Sequence, residues 1–176
     1  MHYRLAHSIF LALFSLLTLT TLIGVSSAQS LDLRLDSSMS SGVLLGPAGG
    51  KVSVGRAPTL LDLDVAMIFD GDESVEWVIG TLAQVEYTPA FAINPQVRLR
   101  RRKGDFEGFA GLGLPIFISP LSRIGTEFSL GFSFPAEGAI AFLANANMHT
   151  YFMGSDLPDD NTVLTLTAAA GLRLRF

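Results

Sequence analysis

The chain has 176 residues, a formal net charge of −4 and no cysteine, and 49% of its residues are hydrophobic. The negative charge argues against a nucleic-acid-binding protein, which would need a basic surface. The lack of cysteine excludes disulfide bonds and thiolate metal ligands, and no set of histidines and carboxylates has a metal-binding spacing. We therefore expect no metal and no cofactor.

The first 28 residues have the three parts of a secretory signal peptide. Arg4 supplies the positive charge, residues 9–23 are mostly apolar, and the small residues before a cleavage site end at Ala28. A membrane anchor is the alternative, but the apolar stretch is short for a membrane helix and contains serine and threonine. We predict a signal peptide at 1–28 and one barrel domain at 29–176.

After this leader, eight segments alternate apolar and polar residues with the two-residue period of β-strands. They lie at about 31–39, 61–69, 75–87, 91–101, 106–118, 127–134, 140–149 and 163–176. No helical period separates them, so we predict an antiparallel meander. Short turns are expected on one side, at 70–73, 102–105 and 135–138, and long loops on the other, at 40–59 and 153–161.

Two segments fit this pattern less well. Pro95 falls inside the fourth strand, and because proline has no N–H group we expect a strand end or a bulge there. Residues 40–59 are rich in glycine and contain two prolines, which indicates a long loop. The alternative is that residues 43–45 and 52–54 form the arms of a hairpin that extends beyond the barrel.

The last strand is long enough to cross a bilayer, which takes about 9–11 tilted residues. It ends with Gly171, Leu174 and Phe176, a spacing that resembles the Gly-x-x-hydrophobic-x-aromatic ending of bacterial outer-membrane β-barrel proteins. The resemblance implies that these residues form an assembly signal read by the barrel assembly machinery, and that outer-membrane lipids surround the protein. We therefore predict an all-β fold, an eight-stranded antiparallel up-and-down transmembrane β-barrel in the outer membrane of a Gram-negative cell.

In a membrane barrel the apolar face points to lipid and the charged face lines the lumen. The residues expected to form a lumen charge network are Asp32, Arg34, Asp36, Asp62, Asp64, Glu76, Glu86, Arg98, Arg100, Glu107, Glu127, Arg173 and Arg175. The residues expected to form two aromatic girdles are Phe69, Trp77, Phe106, Phe134 and Phe176 near the turns and Tyr87, Phe91, Phe117, Tyr151 and Phe152 near the loops. Phe117 and Tyr151 have the lumen register, so the loop-side girdle is the weaker one. The alternative is a secreted, soluble, lipocalin-like barrel whose charged face meets water.

A barrel of eight strands is just filled by its own side chains, so a structural or surface-interaction role through the external loops is the main functional hypothesis. A narrow pore is one alternative. Another is a lipid-modifying hydrolase that would use His149 with Glu127 and with Ser129 or Ser122. The basic run 98–103 is expected to give lumen pairing by Arg98 and Arg100 with a solvated turn beyond, or else to hold an anionic lipid headgroup or a periplasmic partner.

Overall fold

The computed structural model describes residues 31–48, 51–69, 74–120, 122–155, 157 and 162–176. The predicted signal peptide lies outside these residues. The strands are β1 (Leu31–Ala48), β2 (Lys51–Phe69), β3 (Val75–Gln84), β4 (Ala90–Lys103), β5 (Phe106–Gly113), β6 (Ile116–Ser119), β7 (Arg123–Phe134), β8 (Ile140–Gly154) and β9 (Val163–Arg175). Within the described ranges, no α-helix combines the length and the apolar character that a membrane span requires.

The strands form one closed antiparallel ring. A strand, or a pair of strand segments that fill the same place in the ring, is called here a wall. Each wall pairs with the next one along the chain, and β9 pairs with β1 over the register from Arg34↔Arg175 to Leu45↔Leu164. The segments β5 and β6 belong to the same wall, because both pair with β4 on one side and with β7 on the other. The ring therefore has eight walls, and the predicted eight-stranded meander is confirmed.

The predicted break at Pro95 is wrong, because β4 continues through this residue and Pro95 stands opposite Ile79 in the β3–β4 register. Proline lacks the N–H group but keeps its carbonyl, which here accepts a hydrogen bond from the Leu114 N–H at 3.0 Å. The interruption lies in the neighbouring wall, where Leu114 and Pro115 separate β5 from β6. The predicted single strand at 106–118 is therefore two segments.

The predicted long loop at 40–59 is also wrong, since almost all of it is β-structure. The strands β1 and β2 continue as a hairpin whose last pairs are Pro47↔Val52 and Ala48↔Lys51. Gly42 permits this path, because a Cβ atom there would lie 2.7 Å from the Thr167 Cα atom of β9. The alternative expectation, a hairpin with arms at 43–45 and 52–54, describes this segment correctly.

The barrel is polar inside and apolar outside. Leu63, Leu99 and Leu130 are 48%, 60% and 50% exposed on the outer wall, whereas Glu76 and Arg173 are fully buried. Below, the end of the barrel with the connections β2–β3, β4–β5 and β7–β8 is called the turn side, and the opposite end the loop side. The charged residues of the lumen are concentrated at the turn side.

Candidate functional site

The turn-side half of the lumen contains a network of buried charges, called here the arginine layer. It consists of four arginines and four carboxylates: Arg34, Arg98, Arg100, Arg173, Asp36, Asp64, Glu76 and Glu107. The layer is balanced in formal charge. Each member has an inward position in the two-residue period of its strand, so the alternation of the sequence delivers all of them to the same space.

Arg173 connects three strands of the ring. Its Nε and Nη2 atoms donate to the two carboxylate oxygens of Asp36 at 2.7 and 2.8 Å, a bidentate pair between β9 and β1. Its Nη1 atom donates to Glu107 Oε1 of β5 at 2.6 Å. Arg34 Nη1 donates to that same oxygen at 2.5 Å, and Arg100 Nη1 donates to Glu107 Oε2 at 3.0 Å. Glu107 is therefore shared by three guanidinium groups.

Arg98 and Glu76 complete the layer. Arg98 Nη1 donates to Asp36 Oδ2 at 2.9 Å, its Nη2 donates to Asp64, and its guanidinium carbon lies 5.1 Å from the centre of the Phe109 ring. The Glu76 carboxylate makes no hydrogen bond to the described residues. It lies 3.6 Å from Arg173 and 4.0 Å from Arg98, so the positive charges around it are what stabilise it.

The middle of the lumen holds a second, smaller polar cluster around His149. Its Nε2 atom lies 3.2 Å from Glu127 Oε2, and its Nδ1 atom lies 3.3 Å from Thr165 Oγ1. Asn94 Nδ2 donates to Glu127 Oε2 at 2.6 Å. Ser129 is buried nearby, and its hydroxyl makes no hydrogen bond to the described residues. His149 thus contacts an acid and a threonine, and no serine nucleophile is hydrogen-bonded to it.

An apolar and aromatic plug closes the loop-side half of the lumen. It is formed by Leu82, Ala90, Ala92, Phe117 and Tyr151. The rings of Phe117 and Tyr151 meet edge to face with centroids 5.8 Å apart. The Arg123 guanidinium covers both rings, at 4.3 Å from the Phe117 centroid and 4.6 Å from the Tyr151 centroid. These two aromatic residues, both near the loop-side ends of their strands, therefore close the lumen and do not face lipid.

The space left between these layers is small. A cavity of about 10 Å³ is lined by Asp64 and Arg98 of the arginine layer, by Asn94 and Glu127 of the middle cluster, and by Asp62. This volume corresponds to about one water molecule. Side chains therefore fill most of the described lumen.

Three predicted members of the lumen network lie at its rims. Asp32 is on the turn-side rim and contacts Arg34 at 3.2 Å. Arg175 does not reach Asp32; its Nη1 atom donates to the carbonyls of Pro135 and Gly138. The reason is the β1–β9 register, which sets Arg175 opposite Arg34.

Glu86 does not belong to the lumen network that we predicted, because it lies beyond the end of β3 on the loop-side rim. Its carboxylate accepts hydrogen bonds from the Thr59 N–H at 3.1 Å and from Arg56 Nη2 at 2.8 Å. The Thr59 amide and then the Arg56 guanidinium lower the pKa of Glu86. Glu86 therefore ties the base of the β1–β2 hairpin to the β3–β4 connection.

Of the residues predicted for the girdles, Trp77, Phe134 and Phe152 are exposed on the outer wall, and Tyr87 is exposed in the β3–β4 connection. Trp77 and Phe134 lie toward the turn side, and Tyr87 and Phe152 toward the loop side. The side chain of Phe69 lies outside the described part. Phe106 of the turn-side girdle is also exposed, and its ring packs against Phe134 with centroids 4.9 Å apart.

The three residues of the predicted assembly signal lie on β9 or just after it. Phe176 is 79% exposed, and its N–H donates to the Leu33 carbonyl at 3.1 Å. Leu174 is half-buried and stands opposite Leu35 of β1. Gly171 has a structural reason of its own, because a Cβ atom there would lie 2.6 Å from the Ser38 Cα atom.

Sequence reasoning missed the neutral members of the lumen. Asn94, Gln96 and Phe109 are all buried and contact the charged groups. Their inward register on β4 and β5 was the available signal, but amides and a phenylalanine do not stand out in a search for charge. They were predicted as parts of strands and not as parts of the site.

No protein-family model and no curated protein matches the chain. Solved structures with a similar fold include Neisserial surface protein A, with a TM-score of 0.57 and 8% identity over 85% of this chain and 100% of that one. The N-terminal β-barrel domain of Pseudomonas aeruginosa OprF gives a TM-score of 0.55 and 9% identity over 82% of this chain and 97% of that one. The chain thus has the fold of a small outer-membrane β-barrel.

Proposed function

We propose that this protein is an integral outer-membrane β-barrel with a structural or surface-interaction role. The observation that carries the proposal is the reversed polarity of the ring. A soluble barrel would bury its apolar face, whereas here leucine, phenylalanine and isoleucine side chains cover the outside and the arginine layer fills the inside. Only a lipid environment removes this apolar surface from water, and a closed barrel leaves no unpaired strand edge in the membrane.

The lumen supports this role over a pore. The arginine layer and the plug occupy the interior on either side of the middle cluster, and the cavity between them has room for about one water molecule. We expect purified protein in planar bilayers to give no resolvable single-channel conductance.

The middle cluster gives little support for a hydrolase. A hydrolase would need a nucleophile in hydrogen-bond contact with its base and an opening for the substrate. Both ring nitrogens of His149 face other groups, Glu127 and Thr165, and the ring is stacked on Tyr151 of the plug with centroids 6.0 Å apart. His149 is 1% exposed, so a lipid could not reach it without displacing the plug.

The surface that we propose for external interaction is the β1–β2 hairpin beyond the barrel wall. Val52 and Val54 are 74% and 71% exposed there, and Tyr87 of the neighbouring connection is equally exposed. On its β3 side, β2 is paired only from Leu60 toward the turn side, so residues 52–58 present backbone groups without a described ladder partner. Such an edge can accept a strand of a partner protein.

The assembly signal and the girdles belong to the same proposal. Phe176 is exposed at the end of β9, where the assembly machinery could contact it before the ring closes. We expect Phe176→Ser to lower the amount of folded protein in cells without changing the stability of protein refolded in vitro.

The deciding experiment is to separate membranes and to load the protein in SDS with and without boiling. A closed barrel in the outer-membrane fraction should migrate differently before and after heating, since heat is needed to unfold it. A protein found in the soluble fraction, with one mobility, would contradict the proposal and support the lipocalin-like alternative. Gly55→Ala on the hairpin serves as a control variant, because a Cβ atom there meets nothing within 4 Å, and this variant should keep the heat shift.

A further inference from the structure

The basic run 98–103 is divided by the alternation of β4. Arg98 and Arg100 point into the arginine layer, and Arg102 pairs with Glu137 of the β7–β8 turn at 2.5 Å. Arg101 and Lys103 occupy the outward positions of the same strand and are exposed. Neither has a hydrogen bond or an ion pair with an acid among the described residues. Two cations therefore face the surroundings of the barrel and not its lumen.

These two cations are exceptional on the outer wall. In its turn-side half, the other outward positions of the described strands carry apolar or small side chains, such as Leu33, Trp77 and Phe132. A charge that faces lipid is unfavourable at the membrane centre and nearly neutral at the interface. Arg101 and Lys103 lie next to the β4–β5 turn, which places them at headgroup level.

An apolar groove lies on the same face, nearer the middle of the barrel. It has a volume of about 470 Å³ and is lined by Trp77, Pro95, Val97, Leu112 and Leu114, together with neighbouring residues of β2, β3 and β4. The break between β5 and β6 shapes it, because Leu114 leaves the ladder opposite Pro95. Its walls offer hydrocarbon contacts and no charge.

The groove and the cations are connected along β4 and β5. The register runs from Val97↔Leu112 through Leu99↔Ala110 to Arg101↔Gly108. Ala110 and Gly108 keep this path shallow, and a Cβ atom at Gly108 would meet nothing closer than 3.9 Å. Four residues of strand separate Val97 from Arg101, or about 13 Å. This distance lies within one leaflet, whose hydrocarbon is about 15 Å thick, so an acyl chain can extend from the cations to the groove.

We propose that this strip binds one anionic phospholipid of the turn-side leaflet, with an acyl chain in the groove and the phosphodiester between Arg101 and Lys103. Guanidinium and ammonium groups are the natural partners of a phosphate, and the guanidinium can bind two of its oxygens at once. A zwitterionic lipid would bring its own cation next to these side chains. The proposal rests on the proposed function, since it requires a barrel in a bilayer.

Trp77 makes the proposal measurable, because it is the only tryptophan of the chain and it lines the groove. The full-length mature protein is refolded into phosphatidylcholine vesicles that contain a small fraction of lipid with brominated acyl chains, which quench tryptophan on contact. Brominated phosphatidylglycerol should quench Trp77 at a lower mole fraction than brominated phosphatidylcholine. The preference is expected to be about fivefold for each of the two engaged cations.

The double variant Arg101→Gln/Lys103→Gln should lose this preference. The matched control is Arg56→Gln/Arg102→Gln, which removes two exposed charges that already pair with acids elsewhere; it should keep the preference. Equal quenching by both lipids in the unmodified protein would overturn the proposal, as would an equal loss in the control, since that would indicate attraction by general surface charge. The SDS heat shift is measured on every sample, so a protein that fails to form a barrel counts against the proposed function and not against the lipid site.

Discussion

Arg173 offers the sharpest test of how the lumen is stabilised. Changing it to methionine removes three hydrogen bonds, two to Asp36 and one to Glu107, from a side chain that is fully buried. The arginine layer then holds three arginines against four carboxylates. Removing one member of a buried ion pair usually destabilises a protein by about 3–5 kcal/mol, because the remaining charge stays buried without its partner. We expect Arg173→Met to fall in this range.

The measurement is urea unfolding in phospholipid vesicles, followed by the fluorescence of Trp77. The control is Arg102→Met, because Arg102 belongs to the same basic run but pairs with Glu137 in water at the turn-side rim. Such exposed pairs contribute about 0–1 kcal/mol. A second variant, Glu76→Gln on the Arg173→Met background, removes a carboxylate that makes no hydrogen bond to the described residues.

The double variant restores the balance of charge and should be at least about 1 kcal/mol more stable than Arg173→Met alone, since the two sites are coupled. Two results would refute this reasoning. One is a loss for Arg173→Met no larger than that for Arg102→Met. The other is a double variant less stable than Arg173→Met, which would mean that Glu76 stabilises the lumen for a reason other than its charge.

Three other predictions concern the wall, the lumen and the rim. Gly111→Ala should destabilise the barrel by about 1–3 kcal/mol, because its Cβ atom would lie 2.9 Å from Arg98 Cγ; Gly55→Ala should leave the urea midpoint unchanged. The purified protein should not release a small dye from vesicles, and steady release would contradict a filled lumen. Glu86→Gln should speed trypsin cleavage after Arg56 at pH 7, since the lost carboxylate holds that side chain. Because the pKa of Glu86 is lowered, this contact should be fully present above the ordinary glutamate pKa and be lost only as the pH falls through the lower folded value, which an NMR titration of the carboxyl carbon would show.

The alternation of residues, with no helical period between the strands, was enough to predict the ring, its antiparallel pairing and most of its inward charges. A two-residue period assigns each side chain to a face, and both faces here differ sharply in polarity. This is why Arg34, Glu76 and Arg173 could be placed on the inner face without a structure. The number of walls followed from counting the alternating segments.

The predictions that relied on glycine and proline content were wrong where strand pairing decides the structure. The glycines of residues 40–59 suggest a loop, yet at Gly42 a glycine is what allows two strands to approach closely. Pro95 suggests a break in β4, but β4 continues through this residue. The interrupted strand is the neighbouring one, where β5 ends at Gly113 and β6 begins at Ile116. Glu86 has the inward register by counting, but β3 ends at Gln84 and the register no longer applies beyond it.

The partners of each charge could not be predicted, because they depend on how the strands are staggered around the ring. Arg175 and Asp32 both have the inward register on the last and first strands, and register alone would allow them to pair. The actual stagger joins Asp36 to Arg173 and leaves Arg175 on backbone carbonyls. The neutral lumen residues were missed for a related reason, since only the packed interior shows that the side-chain amides of Asn94 and Gln96 hydrogen-bond to Glu127 and Arg98.

The bond between Arg173 and Asp36 joins residues that are 137 positions apart in the chain. Until β9 reaches β1, the interior therefore contains acids without their arginine, in a space that water is leaving. Closing the ring and neutralising its interior are one event. A chain that stops before its last strand would meet an electrostatic penalty as well as two open edges, so the lumen itself discriminates between a finished barrel and an unfinished one.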